Sequence, residues 1–327
     1  MNSRKKASFL TNEFYLAMFL LVVLILMGGI APQFYSKNNF MSLLNTFSYT
    51  LIASIGMEMI ILTSNIDIST GALISVVCLT IAAIGKLGAP FPILLLVAMT
   101  VGALLSLLNG MLVTKLKIPA IVATLATSLI FQGVLNLVSE GSIYDLPASY
   151  TWLAFKAKLP GGVPASVLIC LICTLFGLFF LRYSRFSKKI YALGNSMESA
   201  RLTGINVDKT ILLTYLIAGV FFGISGVIIG TAGQRVTTTM GTGLEMTFIA
   251  SVVLGGTSSA GGSGKLIGTV MGAFILSMIS PAIQYLGISP DWADAIKGAV
   301  IIVSVLISAA KNIKKKRIIP MLSGGRA

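Results

Sequence analysis

Ten stretches of this chain, 14–31, 43–63, 70–86, 92–114, 119–138, 163–182, 210–231, 244–259, 264–283 and 292–310, are predominantly apolar and close to the length of a bilayer-crossing helix. About 20 such residues cross the hydrocarbon core. The pattern predicts an all-α polytopic membrane protein of about ten transmembrane helices, forming a single transmembrane domain over 1–327. The stretches 70–86, 244–259 and 264–283 are short or rich in Gly and Ser and depart furthest from the pattern. Only 10% of the 327 residues are charged, against about 25% in soluble domains. That is too little polar sequence to coat a globule in water, so lipid must be the solvent. The run from Phe14 to Ile30 follows a basic cluster, Arg4, Lys5 and Lys6. It is too long for a signal-peptide core and no small-residue cleavage pattern follows it, so a retained first helix is expected.

The net charge of +14 raises the question of nucleic acid. The basic residues, however, fall in short clusters between apolar runs, with no aromatics interleaved among them, which argues against a nucleic-acid partner. Topology accounts for them instead. With the N-terminus in the cytoplasm, Arg4, Lys5, Lys6, Lys115, Lys117, Arg182, Arg185, Lys188, Lys189, Arg201, Lys209, Lys265, Lys311, Lys314, Lys315, Lys316, Arg317 and Arg326 all fall inside, 18 of the 24 Lys and Arg. Lys37, Lys86, Lys156, Lys158, Arg235 and Lys297 fall outside. The bias predicts that both termini are cytoplasmic, with 311–327 a basic cytoplasmic tail. Trp152, Trp292, Tyr35, Tyr49, Tyr144, Tyr150 and Tyr285 are expected at the outer boundary, where amphipathic rings lie. Numbered along the chain, spans two to five and seven to ten form two blocks of four that enter from opposite sides. Such blocks are candidates for inverted repeats with a solute route at their interface.

Enzymatic chemistry finds little to work with. There is no His, which removes the commonest general base and metal ligand. Cys170 and Cys173 make a lone C-x-x-C inside an apolar run with no second ligand pair, a pattern for packing rather than zinc or redox work. The Gly-rich stretch from Gly255 to Lys265 has Ser259 and Leu266 where a phosphate loop needs Gly and Ser or Thr. Its glycines suit close packing of helix ends instead. No metal and no cofactor of its own is expected. Polar residues inside the spans are expensive in lipid and mark a cavity or a helix contact. Glu58, Asn109, Thr124, Thr127, Gln132 and Asn136 are of this kind. The sequence Asn65-Ile66-Asp67-Ile68-Ser69-Thr70-Gly71 interrupts the run between spans two and three. Two readings stay open for it: a cytoplasmic turn with Asp67 capping the third helix, or an unwound segment at membrane depth lining a pathway.

The loop 183–209 is longer than a connector requires. Within it Asn195 or Ser196 can cap a helix, Glu198 sits favourably in the first turn, and Gly204 can stop it. A helix of about two turns, flat on the cytoplasmic face and offered to a soluble partner, is predicted here.

At this loop the sequence resembles the permeases of the ribose and autoinducer-2 branch of bacterial ABC importers. Further stretches carry the same likeness: Asn65 to Gly71, Asn109-Gly110 leading to Lys117 through Leu125, and Gly241 through Met246 to Val253–Gly264. The likeness runs from about 45 to 310; Thr70 departs from it, where the family often has Val. The resemblance implies a multi-pass protein of the bacterial cytoplasmic (inner) membrane, paired with a second copy or a paralogous permease. Two cytoplasmic ABC ATPases would dock on the loop through Gly194, Asn195, Glu198, Ala200, Arg201 and Gly204, and would use the ATP. An extracellular or periplasmic solute-binding protein would deliver a ribose-type sugar, a deoxyhexose or autoinducer-2. Asn65, Asp67, Ser69, Asn109, Thr124, Thr127, Gln132 and Glu245 are the candidate pathway residues. An ion-coupled secondary transporter using Glu58, Asp67 and Glu245 is the alternative reading, and a membrane scaffold without transport is a weaker one.

Overall fold

The computed structural model describes residues 3–139, 144–145, 162–232, 235–289, 292–300, 302 and 306, and the statements below concern these. The side chains of Arg4, Lys5, Lys6 and Tyr144, the residues Ser149, Tyr150, Trp152, Lys156 and Lys158, and the tail 311–327 lie outside what is described. The helices run in chain order as α1 (Ser3–Ile30), α2 (Lys37–Leu62), α3 (Thr70–Lys86), α4 (Phe91–Thr114), α5 (Ala120–Ser139), α6 (Ser166–Tyr183), α7 (Arg185–Asn195), α8 (Met197–Leu202), α9 (Val207–Ala232), α10 (Leu244–Leu254) and α11 (Leu266–Tyr285). A 3-10 turn, Pro32–Tyr35, joins α1 to α2, and residues 292–300 are helical. Two-residue strands, β1 (Tyr144–Asp145) and β2 (Arg235–Val236), pair antiparallel with Tyr144 opposite Val236.

Six helices, α2, α4, α5, α6, α9 and α11, are long and apolar enough to cross a membrane. The apolar part of α1, Leu16–Ile30, with α3 and α10, is shorter. The first expected span, 14–31, starts eleven residues earlier, at Ser3, and in the span expected at 244–259 the helix stops at Leu254 because Gly255 and Gly256 turn the chain, Gly256 with φ +91. The second expected span starts earlier than 43, at Lys37, where the Ser36 side chain accepts from the Asn39 amide. The last expected span, 292–310, lies only partly within the described residues.

The core is built around α2 and α9, whose faces bury Ile52, Ile55, Met59, Tyr215 and Phe222. Helix α4 lies against α9 with almost nothing between the backbones. A Cβ on Gly102 would stand 2.3 Å from the Gly219 carbonyl, and one on Gly223 equally close to that of Ala98. Lipid supplies no hydrophobic drive between helices, so close approach through small residues carries the contact. The outer faces of α4, α5 and α6 present Leu104, Leu129, Leu137, Phe176 and Phe179, as lipid-facing helices should. Cys170 and Cys173 are free and buried in α6. One aromatic expectation fails: Tyr49 sits at the middle of α2 rather than at its end, where its carbonyl accepts from the Ser225 hydroxyl.

Candidate translocation and coupling sites

Between α2 and α3 the backbone leaves the helix at Thr63, turns through Ser64 at φ +64, and resumes at Thr70. The Asp67 carboxylate organises the interruption. Its Oδ1 accepts from the Ser69 amide at 2.9 Å and the Ser69 hydroxyl at 2.6 Å. Asn109 Nδ2 on α4 donates to Ser69 Oγ at 2.6 Å and reaches both Asp67 oxygens at 3.4–3.5 Å. From α5, Thr124 Oγ1 accepts from the Ile68 amide at 3.1 Å. Asn65 turns back on Thr63, and Thr127 donates to the Thr124 carbonyl. Asp67, Ser69, Asn109 and Thr124 are all fully buried. Asn109 lies five residues before the end of α4 and Thr124 four after the start of α5, or roughly 6–8 Å inside the helix ends at 1.5 Å per residue. The segment is therefore a turn, recessed by about one helical turn, and Asp67 staples it to α4. Beside it Asn109 Oδ1 and the hydroxyls of Ser106 and Tyr215 are buried without a hydrogen-bond partner.

The loop after α6 folds as two helices, of which the sequence suggested only the second. Ser184 caps α7 by accepting from the Ser187 amide at 2.9 Å, and Ile190 and Leu193 turn inward. Ser196 caps α8 through the Ser199 amide at 3.1 Å, with Glu198 in its first turn and Arg201 in its last. Gly204, at φ +80, ends it, and its amide reaches the Arg201 carbonyl. The six coupling candidates divide. Glu198, Arg201 and Gly204 are exposed, whereas Ala200 is buried toward the bundle. Gly194 has no room for a side chain, since a Cβ would meet the Leu62 carbonyl at 1.9 Å and the Gly262 amide nitrogen at 2.4 Å. Asn195 Nδ2 donates to the Gly262 carbonyl at 3.0 Å, and the Tyr191 hydroxyl donates to that of Gly264 at 3.2 Å. Burial, with the Glu58 carboxyl adding to it, pushes the Tyr191 phenol up to about 12. Ser64 Oγ donates to the Ala260 carbonyl at 2.8 Å, and the Gly262 amide to that of Leu62 at 3.0 Å. The end of α7, the Gly-rich turn before α11 and the α2–α3 interruption thus form one knot. Glu58 faces the same turn through Thr257 Oγ1 at 3.3 Å.

The other two pathway candidates lie elsewhere. Gln132 Nε2 donates to the Thr238 carbonyl at 3.2 Å and to Asn136 Oδ1 at 3.3 Å. Glu245, half-buried in the first turn of α10, fills the space over Gly71, where a Cβ would lie 2.5 Å from the Gly241 carbonyl. The Gly241 amide donates to Ser75 Oγ on α3 at 2.9 Å. Residues 237–243 therefore follow β2 and are held by α5 and α3 before α10 begins behind Gly243, at φ +82. The sequence marked Gly241 through Met246 by resemblance and Glu245 as a pathway candidate, but Thr237 to Met240, a short polar stretch, read as a surface loop. The spacing Gly241-x-Gly243 ahead of Glu245 was the available signal. Among the described residues no cluster of three or more His, Cys, Asp or Glu could hold a metal ion.

The chain matches the family described as branched-chain amino acid transport system / permease component over residues 39–305. It is 33% identical to the ribose import permease protein of Escherichia coli (strain K12) over 298 residues, 90% of this chain and 92% of the relative. It is 31% identical to the autoinducer 2 import system permease protein of Escherichia coli O9:H4 (strain HS), covering 90% and 86%. The galactose/methyl galactoside import permease protein of strain K12 is 29% identical over 97% of this chain and all of its own length. No solved structure matches the chain.

Proposed function

This chain belongs to the branched-chain amino acid transport system / permease component family, and from that premise we propose that it is the membrane-spanning permease subunit of an ATP-driven importer for a monosaccharide-like solute. The relatives are named for ribose, galactose and autoinducer 2 rather than for amino acids, and the solute follows them: a ribose-type sugar or autoinducer-2. The chain forms the route, with no cofactor of its own. Two cytoplasmic ABC ATPases use the ATP, a solute-binding protein delivers the cargo from outside, and a second permease copy or paralogue completes the pathway. About ten spans place both termini in the cytoplasm of a bacterial inner-membrane protein, with the blocks from α2 to α5 and from α9 onward as inverted repeats. Labelling cysteines placed at Ser149 and Lys314 should then report opposite sides of the membrane.

The observation that carries the coupling role is the division of the 183–209 loop into a locked and an offered part. Gly194 is packed into the knot and Asn195, itself exposed, is tied to it through the Gly262 carbonyl, while Glu198 and Arg201, three apart and on one face of α8, are exposed. An exposed pair of this kind contributes about 0–1 kcal/mol to stability, so replacing both with Ala should leave the bundle folded and inserted. ATPase co-purification and uptake should fall by at least tenfold. Equal ATPase recovery with unchanged uptake would remove the coupling assignment. The ion-coupled alternative relies on Glu58, Asp67 and Glu245. Uptake by this chain alone, driven by a proton or sodium gradient in liposomes, would favour that reading over the import subunit.

A further inference from the structure

Non-helical backbone at membrane depth is tolerated only where protein buries it or a water-filled cavity faces it. Residues 237–243 are such backbone. Their depth is fixed by two partners: Gln132, just past the midpoint of the spanning helix α5, holds the Thr238 carbonyl, and Ser75, in the second turn of the shorter apolar helix α3, holds the Gly241 amide. One side of the segment is thus sealed against protein. The other side is open: Thr239, Thr242 and Met246 are exposed, and Glu245 and Thr238 are half-exposed. Polar groups at this depth mark bundle interiors and water-filled pathways rather than lipid-facing surface, so the open side looks into water.

We propose that residues 237–245 are the solute-contacting wall of the permeation route, with Thr239, Thr242 and Glu245 taking hydroxyl groups of a neutral, polyhydroxylated solute. This rests on the import reading above and deepens it. The chemistry follows from what the wall offers. From Val236 to Met246 the sequence provides four Thr hydroxyls and one carboxylate with no Lys or Arg. Hydroxyls accept and donate, a carboxylate accepts only, and none of them compensates a negative charge. A sugar-like hydroxyl array suits such a surface and an anionic solute does not. Gly71 and Gly243 position the wall without touching solute. The first leaves no space between α3 and the Gly241 carbonyl, and the second supplies the left-handed turn from which α10 starts.

The native thiols Cys78, Cys170 and Cys173 are buried, so single-cysteine reporters read against a quiet background. The experiment introduces Thr242→Cys and, separately, Thr239→Cys into the full chain, assembled with its ATPase and binding protein in proteoliposomes. Each is treated with a membrane-impermeant, positively charged methanethiosulfonate. The expected result is modification at least tenfold faster than in the parent chain, slowed when ribose and loaded binding protein drive turnover. Uptake should fall about tenfold once the thiol is modified. Reaction only with a membrane-permeant reagent would place the face in lipid and overturn the proposal. An intermolecular disulfide under mild oxidation, with uptake retained, would show that a second copy covers this face and would overturn it as well. ATP-dependent uptake by the parent separates the two levels. If the parent imports and the reporters stay inert, the wall fails and the import reading stands. If the parent imports none of the candidate sugars, the import reading fails, while access of the reagent still decides whether the face lines water.

Discussion

The bundle is interrupted twice, and the interruptions differ in kind. At 63–69 the polar groups past the exposed Ser64 turn inward: Asp67, Ser69 and Asn109 bond one another, Thr124 holds the Ile68 amide, and all four side chains are buried. At 237–243 the backbone makes turn bonds of its own, such as the Thr242 amide to the Thr239 carbonyl, Gln132 and Ser75 hold one side, and the exposed Thr239 and Thr242 face outward. Both solve the same problem of backbone polar groups without helical partners in a low-dielectric medium. The first solves it with a carboxylate that gathers donors, the second by facing a wet surface. A carboxylate so enclosed acts as a clamp, whereas hydroxyls along an open edge suit contact with a moving solute. The first interruption should therefore answer to mutation through structure, and the second through transport.

The largest effect is expected where the clamp is removed. Asp67→Ala leaves the Ser69 amide and hydroxyl as buried donors without their acceptor, at a cost of about 1–3 kcal/mol. Thermal unfolding in detergent should shift down, and uptake should fall more than tenfold. Gly243→Val comes next. It forces a branched residue into the left-handed region, a strain of roughly 1–2 kcal/mol, yet it touches the second interruption only. Uptake should fall sharply with a smaller change in unfolding temperature; the reverse ordering of the two variants would break the contrast. Asp67→Asn keeps an oxygen for the Ser69 amide and loses the charge, so expression should be normal and uptake several-fold lower. Wild-type uptake by this variant would reduce Asp67 to a turn residue. Smallest in stability is Thr242→Val, which fits the same volume and leaves the helices unchanged. Its unfolding should be indistinguishable from the parent while the concentration of solute giving half-maximal uptake rises. An unchanged uptake curve would leave the open side without a role in recognition.

What the sequence made legible was whatever depends on neighbours in the chain. The boundaries of α8 follow from Ser196, Glu198 and Gly204, all within one short stretch, and the structure has them there. The six long helices follow from uninterrupted apolar runs. The interruption at Asp67 was visible, but its depth was not, because that depth is set by Asn109 and Thr124, 42 and 57 positions away. The depth of the segment 237–243 was hidden for the same reason, the partners Gln132 and Ser75 being 106 and 166 positions from Thr238 and Gly241. Helix α10 was overextended because Gly255 to Ala260 are small and mildly apolar, and only the contact of Gly255 with Gly268 reveals the turn. Tyr49 misled because aromatic placement was inferred from sequence distance to a span end that in fact begins at Lys37.

Among the described residues eight glycines, Gly71, Gly102, Gly194, Gly219, Gly223, Gly241, Gly268 and Gly272, sit where a single added carbon would lie between 1.9 and 2.5 Å from a neighbouring backbone carbonyl oxygen. Gly71, Gly194, Gly241 and Gly268 lie where interrupted or terminating elements press together, and Gly102, Gly219, Gly223 and Gly272 lie where helices cross. Over long divergence these glycines and the lipid-facing positions should therefore age at different speeds. Leu129, Leu137 and Phe179 can exchange with any apolar residue of similar bulk while the bilayer absorbs the difference. The eight glycines have no substitute of any size, so the oldest recognisable letters in descendants of this chain should cluster where its backbones touch and not along its lipid-facing stripes.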